Sequence, residues 1–390
     1  MKLALVRQKY NPYGGAERFV ERALAALALQ NSQAAQASTT PDQKIHTTLI
    51  TRQWQGPAEQ NVLMCNPFYL GRLWRDRGFS YSVQAIVAEG RFDLVQSHER
   101  IPGCDIYRAG DGVHATWLAL RGRGQSAFMR LATILHPWHR YTLAAESAMF
   151  RDLRLKAVIC NSRMVRDDIA NRFDVAESKL HVIYNGVDLQ LFHPSLRETH
   201  RHNVRANLGI AEAAPFFLYV GSGFERKGVP QLLHAFALMK NKAAQLLIVG
   251  QDKKQKNMER LASTLGLVQR VQFVGGQNDV KPFYGAADAF VLPTLYDPFP
   301  NAALEALACG LPVITSTTCG VAEFIRNGKN GYVGNAHDEV QLAHHLDALS
   351  VPGASERMRE HARSSVAHLG VERMAEQLIT LYQTLITPPL

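Results

Sequence analysis

Short, β-rich apolar runs alternate with segments of helical periodicity along most of the chain, and that alternation admits few folds. LALVR (3–7), HTTLIT (46–51), VLMC (62–65), FDLVQS (92–97), AVIC (157–160) and HVIY (181–184) read as strands. FFLYVG (216–221), QLLIVG (245–250), VQFVGG (271–276), AFVLPT (289–294) and PVITS (312–316) form a second series. Helical patterns lie between them, such as AERFVERALAALAL after Gly15 and SRMVRDDIANRF, where Ser162 can cap the first turn. Strands separated by helices imply parallel sheets covered on both faces, so two series imply two doubly wound α/β domains. The length, 390 residues with 46% hydrophobic, suits two cores of ordinary size. The expected boundaries are 1–186 for the N-terminal domain and 187–370 for the C-terminal one. The turn and proline-ended run NGVDLQLFHP (185–194) makes the joint. A last amphipathic helix lies within 371–390 and could cross either domain. Residues 31–43, polar and low in complexity, read as a surface loop.

Composition narrows the function classes. No run of about 18 uncharged apolar residues appears, and MKLALVRQKY lacks the apolar block of a signal peptide. The expectation is a chain that neither spans a membrane nor leaves by that route. Cys65, Cys104, Cys160, Cys309 and Cys319 form no CxxC pair and read as reduced core thiols of a cytosolic protein, not a disulfide frame or zinc site. A formal charge of +9 and a pI near 9.3 favour an anionic partner. A nucleic acid fits poorly: aromatic residues are 8% and no DNA- or RNA-binding motif appears.

In open α/β sheets ligands collect at the carboxyl ends of strands. After the first strand, Gly14 and Gly15 precede a helix and suit close approach of a phosphate to backbone amides, although a turn needing positive φ is the plainer reading of the pair alone. After FFLYVG, Arg226 and Lys227 in SGFERKG could grip a diphosphate, or form a solvated pair. VQFVGGQNDV, ending at Val280, offers backbone groups to a nucleobase edge. In DPFPNAALEALAC, Pro298 and Pro300 have no N–H, leaving the amides of Phe299, Asn301, Ala302 and Ala303 at a helix start. Glu305, one turn further, and Asp297 are acceptors for sugar hydroxyls. An ordinary first-turn acid and a turn residue are the plainer readings. Hydroxyls flanking a diphosphate describe a nucleotide sugar.

The eight-residue step from Asp297 to Glu305 resembles the E-x7-E motif of the retaining glycosyltransferases of family 4. SGFERKG is similar to that family's diphosphate loop and IYNGVD to its interdomain linker. KYNPYGGAER, IPGCDIYRAGD, VGSGFERKGV, VGQDK and QNDVKPFYGAAD resemble segments of the members that glucosylate the lipopolysaccharide core. The resemblance implies the GT-B fold: two Rossmann-like domains facing across a cleft. It implies transfer of a hexose from a UDP-sugar, UDP-glucose first, to a lipid-linked saccharide, with retention, no bound metal and no cofactor. Carried over by position, Gly15, Arg226 and Lys227 face the diphosphate, Glu305 the ribose and Asp297 the donor sugar. His98 and Asp111 fall at positions facing sugar and acceptor. Asp297 departs from the family's Glu by one methylene, which opens a change of donor. No carboxylate pair of the kind that retaining hydrolases space about 5–5.5 Å apart stands out, which favours front-face attack within an ion pair. An epimerase of the same fold, a phosphorylase, and transfer to another glycan or small acceptor are the alternatives.

Residues 121–140 carry Arg121, Arg123, Arg130 and Arg140 and no acid, interleaved with Phe128, Leu131, Leu135 and Trp138. The three apolar residues share one side of a helix, and Trp favours membrane interfaces. The segment suits an anionic leaflet, the cytoplasmic face of the inner membrane, or else packs its apolar side on the domain with the arginines in solvent or facing a phosphorylated acceptor.

Overall fold

A computed structural model describes residues 1–9, 45–54, 61–123 and 126–386. Two units separate: Met1–Gly186 together with Val371–Leu390, and Val187–Gly370. Each is built on one wholly parallel sheet.

The first sheet comprises β1 (Lys2–Val6), β2 (His46–Thr51), β3 (Val62–Met64), β4 (Leu94–Ser97), β5 (Ile106–Arg108), β6 (Ala157–Cys160) and β7 (Leu180–Val182), in the order β3-β2-β1-β4-β5-β6-β7. The second comprises β8 (Phe216–Val220), β9 (Gln245–Val249), β10 (Val271–Gly275), β11 (Ala289–Leu292), β12 (Val313–Ser316) and β13 (Gly331–Gly334), in the order β10-β9-β8-β11-β12-β13. The direction of winding reverses between β1 and β4 in one sheet and between β8 and β11 in the other. Loops leaving the carboxyl ends at such switch points diverge to opposite faces and leave a crevice for ligands.

The helices among the described residues are α1 (Gly71–Ala88), α2 (His114–Gly122), α3 (Ala127–Leu135), α4 (Pro137–Phe150), α5 (Arg163–Phe173), α6 (Leu196–Asn207), α7 (Val229–Leu238), α8 (Gln255–Thr264), α9 (Lys281–Ala286), α10 (Asn301–Ala308), α11 (Glu339–Leu349), α12 (Ala354–Val366) and α13 (Val371–Ile386). Ser162 does cap α5, accepting from Val165 N at 3.3 Å.

Side chains alternate across the first sheet as the pleat demands. Leu3 and Leu5 join Leu49, Leu94, Ile106 and Ile159 on one face, where Met374, Leu378, Leu381 and Tyr382 of α13 complete the core. Ala4 and Val6 face the other way, onto Phe79, Val83 and Val87 of α1. All five cysteines are free and buried.

Two strands were not expected. The three-residue β5 sits between turn residues and charges, too short to show alternation, and is recruited by pairing with β4 and β6. β13, GYVG, has two glycines that weaken strand propensity but let Gly331 pack against β12: a Cβ there would meet Val313 O at 2.0 Å. The helix expected after Gly15 and the loop expected at 31–43 lie outside the described residues.

Candidate active site

The loop leaving β8 carries Arg226 and Lys227, and it is held from two sides. Asp252, on the loop after β9, accepts from Gly223 N at 2.9 Å and Phe224 N at 3.0 Å through one carboxylate oxygen. Arg226 is bonded at both ends to the segment after β11: its carbonyl accepts from Leu295 N (2.8 Å) and Thr294 Oγ1 (3.1 Å), and its Nη1 donates to Tyr296 O (3.0 Å). Gly228 closes the loop with φ +78°, and a Cβ there would meet Pro293 O at 2.0 Å, so only glycine fits. The backbone therefore presents two adjacent cations on a short, latched turn.

Asp297 belongs to the same latch. Lys227 Nζ lies 3.3 Å from Asp297 Oδ2, an ion pair whose side chains are 15% and 9% exposed. The Asp297 backbone bridges to the segment after β12, donating to Thr318 O at 3.1 Å and accepting from Gly320 N at 2.9 Å. Neighbouring Cys319 is closed off as a nucleophile, because burial pushes its thiol up to about 12.

Glu305 stands in the middle of α10 and is buried, with Oε2 accepting from Tyr284 OH at 3.2 Å. The same hydroxyl lies 3.0 Å from Ala302 O and shares its single proton between the two acceptors, so α9 fixes both the acid and the helix that carries it. Asn301 and Ala302 occupy the first turn of α10, and Phe299, 3% exposed, packs edge-on against Phe324. One expectation needs correction: the Ala303 amide is taken by Pro300 O at 3.2 Å, closing the turn that starts α10. Val280 stands just ahead of α9, its carbonyl accepting from Phe283 N at 3.1 Å.

In the first unit His98 follows β4 and is 5% exposed. Burial, with the guanidiniums of Arg108 and Arg7 nearby, holds its imidazole well below the usual range, so the ring is neutral. Asp111 lies 3.8 Å from Arg7 Nη1, which is also 3.4 Å from Glu99 Oε1. Arg100 steadies this loop, donating to Gly112 O at 2.8 Å and to the buried Glu146 at 2.7 Å. The structure thus brings Arg226, Lys227, Asp297 and Glu305 into one unit and His98 and Asp111 into the other. Gly14 and Gly15 lie outside the described residues. Among the described residues no group of three or more His, Cys, Asp or Glu is arranged to hold a metal ion.

The family model described as "Glycosyltransferase Family 4" matches residues 13–191, and the one described as "Glycosyl transferases group 1" matches 200–365. The chain belongs to the GT-B glycosyltransferases. The glycosyltransferase is 27% identical over 338 residues to the lipopolysaccharide glucosyltransferase WaaG of Escherichia coli K12, covering 85% of each chain. A crystal structure of WaaG superposes with a TM-score of 0.79 at 26% identity, over 97% of this chain and 99% of that one. Anabaena Alr3699/HepE, solved with UDP and glucose, shares the fold at a TM-score of 0.70 and 18% identity, over 98% of this chain and all of that one.

Sequence reasoning about this glycosyltransferase missed three supporting residues. Asp252 was visible only as part of VGQDK, Tyr284 as part of QNDVKPFYGAAD, and Thr294 as a strand end; their contacts join loops 18 to 68 positions apart. For the segment 121–140 the structure decides against one of the two expected arrangements. Arg121, Arg123, Arg130 and Arg140 are exposed, and α3 buries no residue at all, with Phe128 78% exposed and Leu131 and Leu135 more than half. Packing of the apolar side on the domain is therefore not what is found. Trp138, by contrast, is structural. Its indole N–H donates to Asp76 Oδ2 at 2.7 Å, and the Arg72 guanidinium lies 3.4 Å from the ring centroid. Pro137 accounts for the separation, since His136 before it takes ψ 122° and ends α3, turning Trp138 onto α4.

Proposed function

We propose that the enzyme transfers a hexose, glucose, from UDP-glucose to a lipid-linked saccharide of the lipopolysaccharide core, with retention and without a metal or cofactor. The observation that carries the reading is the latched turn: two cations fixed beside the segment that bears Asp297 and Glu305. A UDP leaving group gains negative charge as the glycosidic bond breaks, and donors already aimed at it can each lower the barrier by about 3–4 kcal/mol. Arg226 grips the diphosphate oxygens, Lys227 adds a point charge drawn from its pair with Asp297, and Glu305 accepts from the ribose hydroxyls. Asp297 accepts from the transferred sugar, and the first turn of α10, with Phe299, Asn301 and Ala302, faces the diphosphate. Val280 borders the nucleobase, Gly14 and Gly15 approach the phosphate, and His98 and Asp111 serve sugar and acceptor. The similarity to WaaG, a lipopolysaccharide glucosyltransferase by name, supports the choice of acceptor. The second unit presents its cations as side chains, so activity survives EDTA.

The same reading places the enzyme on the cytoplasmic face of the inner membrane. No described helix is long and apolar enough to cross a membrane. The exposed apolar stripe of α3 and four exposed arginines suit peripheral docking, with about 1 kcal/mol for each arginine near an anionic surface. The deciding experiment offers a panel of nucleotide sugars with and without heptose-bearing core lipid and follows UDP release and the anomer formed, in EDTA and with added Mg²⁺. Acceptor-dependent UDP release from UDP-glucose, with the α-anomer as product, is expected. Turnover restored only by metal, or UDP-sugar interconversion without acceptor, overturns it.

A further inference from the structure

Three buried side chains of the first unit are strung on two hydrogen bonds. Tyr382 on α13 donates its hydroxyl to Gln96 Oε1 at 2.7 Å, and Gln96 Nε2 lies 3.0 Å from His98 Nε2. Gln96 and His98 are two residues apart at the end of β4, whereas Tyr382 stands 286 positions from Gln96 along the chain. The lengths suit an O–H···O bond and a bond from an amide nitrogen. Burial raises the Tyr382 phenol, so it keeps its proton and has that proton to give. A carboxamide whose oxygen receives the phenol must turn its NH₂ towards His98, and an NH₂ only donates. His98 Nε2 is then the acceptor. A neutral imidazole carries one N–H, which leaves it on Nδ1.

We propose that Gln96 and Tyr382 are positioning residues that hold His98 as its Nδ1–H tautomer, so that it meets a saccharide oxygen as a hydrogen-bond donor and cannot collect a proton at Nδ1. The saccharide rests on the glycosyltransferase reading of His98; the tautomer does not. C-terminal helix α13 thereby reaches a site residue through one strand position, and a role as general base at Nδ1 is closed to His98.

Long-range ¹H–¹⁵N spectra of histidine-labelled protein read the tautomer directly, with His98 assigned by the signals lost in His98→Asn. Wild type is expected to show the proton on Nδ1 at pH 7. In Gln96→Glu the carboxylate still accepts from Tyr382 but now needs a proton from His98, so the proton moves to Nε2, and kcat with the nucleotide sugar falls about tenfold for one lost donor. Tyr382→Phe frees the carboxamide to turn and gives a mixture of tautomers; it carries the same two readouts if Gln96→Glu does not fold. A wild-type proton on Nε2, or spectra unmoved in both variants, overturns the proposal. A tautomer shift without any change in kcat overturns the donor role. A wild-type enzyme that transfers from no nucleotide sugar refutes the functional reading instead, while the spectra still decide the tautomer.

Discussion

Lys227 and Asp297 neutralise one another in a pocket that water barely reaches, so each removal exposes a different dependence. Lys227→Ala and Arg226→Ala are expected to lower kcat by about 10²-fold or more with little change in KM, because leaving-group charge develops only in the transition state. Glu305→Ala is expected to raise KM for the donor instead, since ribose is held alike in ground and transition states. Steady-state kinetics separate the two patterns. Lys227→Ala also strands the Asp297 carboxylate and costs about 1–3 kcal/mol in thermal unfolding. Buried histidines set an acid limit. Burial holds both His98 and His114 below the usual range, His114 at about 3. The unfolded chain therefore binds protons near pH 6.5 that the folded chain refuses. Stability is full above that pH and declines as pH falls below it, by about 1.4 kcal/mol per unit for each group. Glu99, whose carboxyl burial pushes up, acts in the opposite sense. Melting temperatures at pH 7, 6 and 5 in wild type and His114→Phe test this, the variant showing the shallower fall.

At the scale of elements, the latched turn depends on Asp252 as much as on its own sequence. Asp252→Ala unties two amides and is expected to lower kcat several-fold while leaving the charges in place, a loss that Asp252→Asn recovers in part. Helix α3 makes the opposite case. Phe128→Ser with Leu131→Ser should abolish co-sedimentation with anionic liposomes yet leave the melting temperature within a degree, because nothing on α3 is buried. Unchanged binding would show that docking lies elsewhere. The strand series was legible in the sequence because buried parallel strands are continuous β-branched runs. β5 and β13 were not, since three residues beside charges, or a strand with two glycines, acquire their state only from their neighbours. The candidate site residues could be assigned to the loops after strands by position alone. What holds them was not legible, because Asp252, Tyr284 and Gln96 act across loops or across the whole chain, where no spacing rule operates.

At the scale of the molecule, α13 closes the hydrophobic face of the first sheet although it follows the entire second unit. Met374, Leu378, Leu381 and Tyr382 each stabilise by roughly 1.5–3 kcal/mol when buried, which together rivals the net stability of an ordinary domain. A chain ending at Gly370 is therefore expected to lose the cooperative unfolding transition of the first unit and keep that of the second, as two-transition calorimetry would show. The same arrangement sets an order for biosynthesis. About 200 residues separate Gly186 from the end of α13, some 10–40 s of translation at 5–20 residues per second. During that interval the nascent first sheet has one apolar face uncovered, and the second unit, made meanwhile, has its whole sequence at Gly370, before the helix that covers that face is synthesised. The part of the enzyme made first is the part finished last, and chaperone dependence should concentrate on the face that awaits its final helix.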